Sequence, residues 1–489
     1  MHTYHTFPAR TIRALLVALA ALTASCQEPE ELTAPPALAA KPATGPVVNN
    51  VVPDSSKRGV RLDLTVNGSG YDQGSVVALE RQGVPAAGIT VSSTTFVSSR
   101  KLVADVTIAA TADTGKVDVA VTTTGGRKGV GIEVFTVEYE IAELGMFGGT
   151  WSIAMEVNDQ GVIVGASCTE DCLSRAFRWT ETTGLQDLGT LPGWSRSYAS
   201  AITASGAIFG TVECRPGDPG CNEPTTQRQL VRWDKVGGSW VITPVDGCSI
   251  ATPFFVVPKF LVNNNDQCMG PGLVVQTLSG GAVVNEEPLP RLVAGGSHQA
   301  FAISDAPMVV GIAFGNEQPP EPVLWFRRST GAWEILRLGF PSTGRFAYAS
   351  DVGEPDAAGR VRVAGYVQEG NDRRDSSVRA LRWTLEPDGL GGWRVVSTEV
   401  IASTVQQMGQ SNAWAGAIND AGDMVGIAGS HTESGLPMKW PAGGETEVLP
   451  VVGGGGKGSA MAINSHGLIV GAVWDRGHQC NRAAVWRKN

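Results

Sequence analysis

The stretch Ala154-Met155-Glu156-Val157-Asn158-Asp159-Gln160-Gly161-Val162-Ile163-Val164-Gly165 decides how this chain is read, because it comes back. It returns as Ala415-Gly416-Ala417-Ile418-Asn419-Asp420-Ala421-Gly422-Asp423-Met424-Val425-Gly426, and again over residues 460–471 with Asn464 and Gly467 in register. Weaker copies end at Gly210, Gly270, Gly311 and Gly365. The closing glycines 165, 210, 270, 311, 365, 426 and 471 give a period of roughly 40–60 residues, the length of one unit in a repeat fold. Inside each clear copy, apolar runs flank Asn-x-x-Gly, residue types that tolerate the left-handed backbone a tight hairpin needs. Asn158 and Asn419 are therefore turn residues first. After most copies an apolar strand ends in tryptophan, at Trp179, Trp233, Trp325, Trp383, Trp440 and Trp486; only the third unit lacks one.

Composition points the same way. The 489 residues include 61 Gly and 28 Pro and are only 17% charged, which suits many short strands joined by turns and makes the chain all-β. Each unit offers about four strands. Its first strand is rich in small residues, as in Tyr198-Ala199-Ser200-Ala201 and Ala415-Gly416-Ala417, which belong where strands crowd a central axis. Four strands in each of seven units predicts a seven-bladed β-propeller over residues 139–489; a β-solenoid, built from shorter and more uniform repeats, is the alternative. The seventh unit stops after Trp486 without a fourth strand. Ile141-Ala142-Glu143-Leu144-Gly145, placed like Leu185-Gln186-Asp187-Leu188-Gly189, is expected to supply it and so remove two open edges.

These units resemble the HAF family of bacterial extracellular repeats, whose unit runs A-x-x-I-N-x-x-G-x-V-V-G, then A-F-x-W, then D-L-G. Ala176-Phe177-Arg178-Trp179 and Asp187-Leu188-Gly189 carry the later parts. The likeness is strong in units one, six and seven and eroded in units two to five, and it implies export and fold more than activity. Residues 46–138 alternate in strand fashion, as in Arg61-Leu62-Asp63-Leu64-Thr65-Val66 and Val117-Asp118-Val119-Ala120-Val121, at the length of an immunoglobulin-like sandwich. Gly68-Ser69-Gly70-Tyr71 with Gly74-Ser75-Val76-Val77 resembles the IPT/TIG family, which implies a spacer or protein contact and no chemistry.

Before these domains, Arg10 and Arg13 precede the apolar run 14–22, which Thr23-Ala24-Ser25-Cys26 follows. The run is too short to span a bilayer, for which about 20 apolar residues are needed, and has the parts of a secretory signal. Residues 1–26 resemble a bacterial lipoprotein signal, which implies that Cys26 is lipidated and anchors the protein in a membrane. Thr23 stands where such signals usually carry Leu, so plain secretion is the alternative. Gln27 after the cysteine leans the resemblance towards the outer membrane. Residues 27–45, rich in Pro, Ala and Glu, form a disordered tether. The expected place is the cell envelope.

An exported chain oxidises well-placed thiols, so Cys168 is expected to pair with Cys172, Cys214 with Cys221 and Cys248 with Cys268, leaving Cys480 over. No metal site and no cofactor is expected. A net charge of −9 without a basic stripe argues against a nucleic-acid partner. No nucleophile elbow, P-loop or metalloprotease motif occurs, and His298, His431, His466 and His478 stand isolated, so the chain is read as a non-enzyme. Trp151, Trp194, Trp414 and Trp474 fall outside the repeat's own tryptophan positions, in connections that emerge on one face of a four-stranded blade. With Arg196 they form the candidate ligand site, an aromatic arc for a protein or glycan. The other reading of these tryptophans is that they merely cover loops. The competing function is a propeller hydrolase or lyase for extracellular polysaccharide, marked by axial carboxylates from two or more units.

Overall fold

The computed structural model describes residues 45–110, 112–251, 259–315, 319–370, 377–401, 412–429, 435–443, 446–452 and 456–487. The signal segment with Cys26, nearly all of the tether and His431 lie outside them. Among the described residues the chain is all-β, built from small, almost entirely antiparallel sheets without a helix.

Two sheets formed by residues 47–137 share one core. The first runs in the order Val47–Val52, Val60–Ser69, Lys101–Ile108, Ile89–Ser98; the second in the order Ser55–Ser56, Lys128–Val137, Gly115–Thr122, Val76–Arg81, Val84–Pro85. Alternation turns Leu64 and Val66 inward with Leu102, Ala104, Val106 and Ile108, against Val117, Val119 and Val121 of the other sheet. Tyr71 is buried and donates to Val47 O at 3.1 Å. A side chain at Gly68 would strike that hydroxyl and the Val47 carbonyl.

Among the described residues the later sequence falls into seven groups of strands. Five are complete four-stranded meanders that begin at Gly148, Arg196, His298, Gly344 and Ala413. The seventh orders its strands as Glu140–Glu143, Cys480–Arg487, Ile469–Asp475, Gly458–Ile463, with Ile141 opposite Trp486. The segment before the first unit therefore completes the last sheet, as its sequence position predicts. The third unit departs from four strands: a three-stranded sheet, Gln267–Gly270, Val274–Ser279 and Ala282–Pro288, stands beside the pair Ile250–Ala251 and Lys259–Phe260.

A bulge recurs where the first two strands of a unit meet. The register slips after Ala154, Ala199, Ala300, Ala349, Ala415 and Ala460, leaving one extra residue each time. The closing glycines 165, 210, 311, 365, 426 and 471 pair with those alanines. A Cβ on any of them would overlap the backbone carbonyl just before its alanine. The repeat keeps glycine there because nothing larger fits.

Each unit shares a core with the next, and the last shares one with the first: Val157, Ile163 and Phe177 pack with Ala462, Val470 and Val485. Trp233, Trp325, Trp383, Trp440 and Trp486 are completely buried in such shared cores. A relay of hydrogen bonds joins the hairpin turns in the same order. Asn158 Nδ2 donates to Thr203 O, Ala204 N to Asn264 Oδ1, Asn263 Nδ2 to Ser304 O and Asp305 N to Glu354 Oε1. Glu354 N then donates to Asp420 Oδ1, Asn419 Nδ2 to Asn464 O, and Asn464 Nδ2 back to Asn158 O at 3.0 Å. These asparagines are turn residues and also couplings between units.

Candidate functional site

The turns that join first and second strands lie at one end of the sheets, so the start of each first strand lies at the other. Trp151 is near the start of Gly148–Val157, and its N–H reaches Cys168 Sγ at 3.2 Å. Trp194 closes a turn onto Leu191 O at 3.0 Å just before Arg196–Ile202. Trp474 is near the end of Ile469–Asp475, and its N–H donates to Lys457 O at 2.9 Å. All three are half-buried and share the end opposite the asparagine turns.

Two members of the arc need correction. Trp414 lies at the same end but is only 4% exposed, packed with Tyr366, Ile427 and the half-buried Tyr348. Tyr348 stacks on Tyr366 at 5.1 Å, and this aromatic cluster, which spans two units, roofs the indole over. Arg196 is not a free donor. It makes a two-pronged pair with Asp218 at 2.7 and 2.9 Å and donates to Cys172 O at 3.1 Å. The Arg196 hydrogen bonds hold the Asp218 carboxyl down to about 2. Arg196 thus fastens the loop that the Cys214 to Cys221 disulfide closes.

The second disulfide joins Cys248 and Cys268 across the irregular third unit. Cys168 and Cys172, expected to pair, are both free thiols, as is Cys480. Cys168 is buried at the end of Ile163–Thr169 and accepts the N–H groups of Thr150 and Trp151, whereas Cys172 is exposed at a turn with φ of 57°. Both sulfurs lie near the Thr150 hydroxyl, Cys168 Sγ at 3.7 Å and Cys172 Sγ at 4.0 Å, with no bond between them.

A group of charges that sequence reading missed sits on the first strands of units one, three and five. Lys259 Nζ pairs with Glu156 Oε2 at 2.9 Å. Asp351 interacts with both, and its Oδ2 accepts Ile418 N at 2.9 Å. Glu156 and Asp351 occupy the same repeat position, just after the bulge, where other units have Ala201, Ala302, Ala417 and Ala462. Within the cluster 18% of the Glu156 side chain and 28% of the Lys259 side chain stay open. Burial pushes the Asp351 carboxyl up to about 6 although Lys259 opposes it. Burial also acts to lower the Lys259 pKa, but Glu156 and Asp351 together hold it above its ordinary value. Chemically, this is a carboxyl that titrates near neutrality beside a lysine-bound carboxylate.

His298 accepts Leu292 N at 2.9 Å, while His466 and His478 are exposed beside Asp159 and Asp475. Among the described residues no group of three or more His, Cys, Asp or Glu is placed to hold a metal ion. Comparison with known proteins finds no family model that matches the chain and no curated protein similar to it.

Proposed function

We propose that the protein is an exported, lipid-anchored binding module of the cell envelope. In this reading an IPT/TIG-type immunoglobulin-like sandwich supports a seven-bladed propeller of HAF-type repeats, and the propeller contacts a protein or glycan through one face. The observation that carries the binding role is the shared placement of Trp151, Trp194 and Trp474, half-buried at one end of units that follow one another through the seventh-to-first junction. A part-exposed indole offers a flat apolar face to a sugar ring or an apolar side chain at little entropic cost. The unbroken relay of turn hydrogen bonds and the cores shared around all seven units support the propeller. Two disulfides fit an oxidising compartment. The test is glycan-array and pull-down screening with the wild type and a Trp151→Ala, Trp194→Ala double variant. Ligands retained by the wild type and lost by the variant support the reading; equal retention by both contradicts it.

The Glu156, Lys259 and Asp351 cluster favours a second reading, a hydrolase or lyase acting on extracellular polysaccharide. A carboxyl near 6 can act as the acid and a neighbouring carboxylate as the base or nucleophile. Binding is preferred because both carboxylates are engaged, Glu156 by Lys259 and Asp351 by the backbone of the sixth unit. Polysaccharide cleavage that Glu156→Gln and Asp351→Asn both abolish would reverse that preference.

A further inference from the structure

Two open thiols in the first unit share one neighbour. Cys168, next to last in Ile163–Thr169, is completely buried, and Cys172 is exposed in the turn that its own N–H closes onto Thr169 O at 2.9 Å. The Thr150 hydroxyl touches both sulfurs. What brings Thr150 there is a second slip in register, between Gly148 and Ser152, that the first strands of units two, four, six and seven do not have. The looped-out residues fold over Cys168, so that Thr150 N and Trp151 N both donate to its Sγ, at 2.8 and 3.2 Å. Gly149 is needed for this approach, since a Cβ there would overlap the same sulfur and the carbonyls of Cys168 and Thr169.

The two sulfurs therefore differ in the way an exchanging pair requires. An attacking sulfur must be reachable from solvent, as Cys172 is. Its partner departs with a negative charge whenever the bond between them is reduced, and two backbone N–H groups stand ready to receive that charge on Cys168. Support for the departing sulfur favours the dithiol and makes the closed form easy to reduce. The loop that such a bond would close holds only Thr169, Glu170 and Asp171, so closure adds little entropic stabilisation. Cys214 and Cys221, by contrast, are joined, as are Cys248 and Cys268. The third free thiol, Cys480, is buried, and its electrostatic coupling to Cys168 makes it the competing partner.

We infer that Cys172 and Cys168 form a redox-active pair that exchanges reversibly with small disulfides, Cys172 attacking and Cys168 resolving. The Cys172 thiolate attacks one sulfur of the small disulfide, whose S–S bond breaks as a mixed disulfide forms on Cys172. The first small thiolate leaves and takes from solvent a proton equal to the one Cys172 released. Cys168 Sγ then attacks Cys172 Sγ, and the second small thiolate leaves and is protonated in the same way. Two protein thiols are oxidised to one disulfide, and one small disulfide is reduced to two thiols. The reverse reaction reopens the pair, with Cys168 leaving onto the N–H groups of Thr150 and Trp151. Nothing in this depends on Trp151 or its neighbours binding a ligand.

Equilibration of the full-length protein in graded mixtures of reduced and oxidised glutathione, followed by alkylation and peptide mapping, tests the assignment. The Cys168 to Cys172 link should form in the oxidising mixtures and reopen in the reducing ones. Its midpoint should fall at a reduced-to-oxidised ratio at least about tenfold less reducing than either the Cys214 to Cys221 or the Cys248 to Cys268 link needs. Cys168→Ser should hold glutathione on Cys172 as a stable mixed disulfide, and Cys172→Ser should leave Cys168 unmodified in the native protein. If either variant fails to fold, the wild-type titration alone decides. No Cys168 to Cys172 link in any mixture, a link that opens only with the other two, or a Cys168 to Cys480 link in its place would overturn the inference. So would glutathione on Cys168 of the folded Cys172→Ser protein.

Discussion

Replacing Asn464 with alanine should cost the repeat units about 3 kcal/mol. Asn464 is 6% exposed and makes three side-chain hydrogen bonds. Its Oδ1 accepts Leu468 N at 2.8 Å and His466 N at 3.1 Å, and its Nδ2 donates to Asn158 O at 3.0 Å across the junction of the seventh and first units. Each such bond contributes about 1 kcal/mol net. The Asn158 carbonyl keeps a second partner, Gly161 N at 3.0 Å, so no stranded acceptor adds to the loss. Asp159→Ala is the control: that side chain is half-exposed and supports one backbone bond, to Ser465 N, so its loss should stay under about 1 kcal/mol. All 13 tryptophans lie at or beyond position 151, so urea unfolding followed by indole fluorescence reports on the repeats alone. A loss below about 0.5 kcal/mol for Asn464→Ala would refute the coupling role assigned to this turn.

Stability should fall between about pH 4 and pH 7. Burial raises the Asp351 and Glu354 carboxyls to about 6 and about 7, above an unfolded value near 4, so their favourable contribution is complete below about 4 and is lost as pH rises through 6 to 7. The loss should be on the order of 1–3 kcal/mol by urea unfolding, and Asp351→Asn should flatten its lower step; a level profile would refute it. Non-reducing peptide mapping should recover the Cys214 with Cys221 and Cys248 with Cys268 links. Alkylation of native protein should label exposed Cys172 quickly and buried Cys168 and Cys480 only after unfolding. Trp383→Ala should cost about 3–5 kcal/mol, since the indole is fully buried and its Nε1 donates to Gly339 O at 2.8 Å, while Trp179→Leu should cost under about 2. Equal losses at the two positions would contradict their different burial.

Much of the fold could be read from the residues because the repeat writes each constraint several times. The asparagine turns, the closing glycines and the strand 141–145 were all visible as pattern, and each has a local cause in the structure. What escaped depends on contacts between units. Glu156, Lys259 and Asp351 belong to three different copies, two of them eroded, and nothing in one copy says that another carries the opposite charge. Arg196 reads as a free cation until Asp218, 22 residues on, folds back onto it. Trp414 is covered by Tyr348 and Tyr366 of the preceding unit. The exposure of Trp179 did have a signal, a phenylalanine two residues earlier where sister units have aliphatic residues, but its effect depends on which ring reaches the glycine first.

Closure between the two ends of the repeat region is most directly tested by amide hydrogen exchange in Glu140–Glu143, the strand that pairs with Cys480–Arg487. If that strand completes the seventh sheet, its inward amides should exchange as slowly as those of Ile163–Thr169 in the middle of the first sheet, and in a chain lacking residues 139–147 the amides of residues 484–487 that face the deleted strand should lose protection while those bonded to Ile469–Asp475 keep theirs. Exchange of Glu140–Glu143 within seconds in the intact protein, or undiminished protection after the deletion of the amides of residues 484–487 that face that strand, would contradict closure.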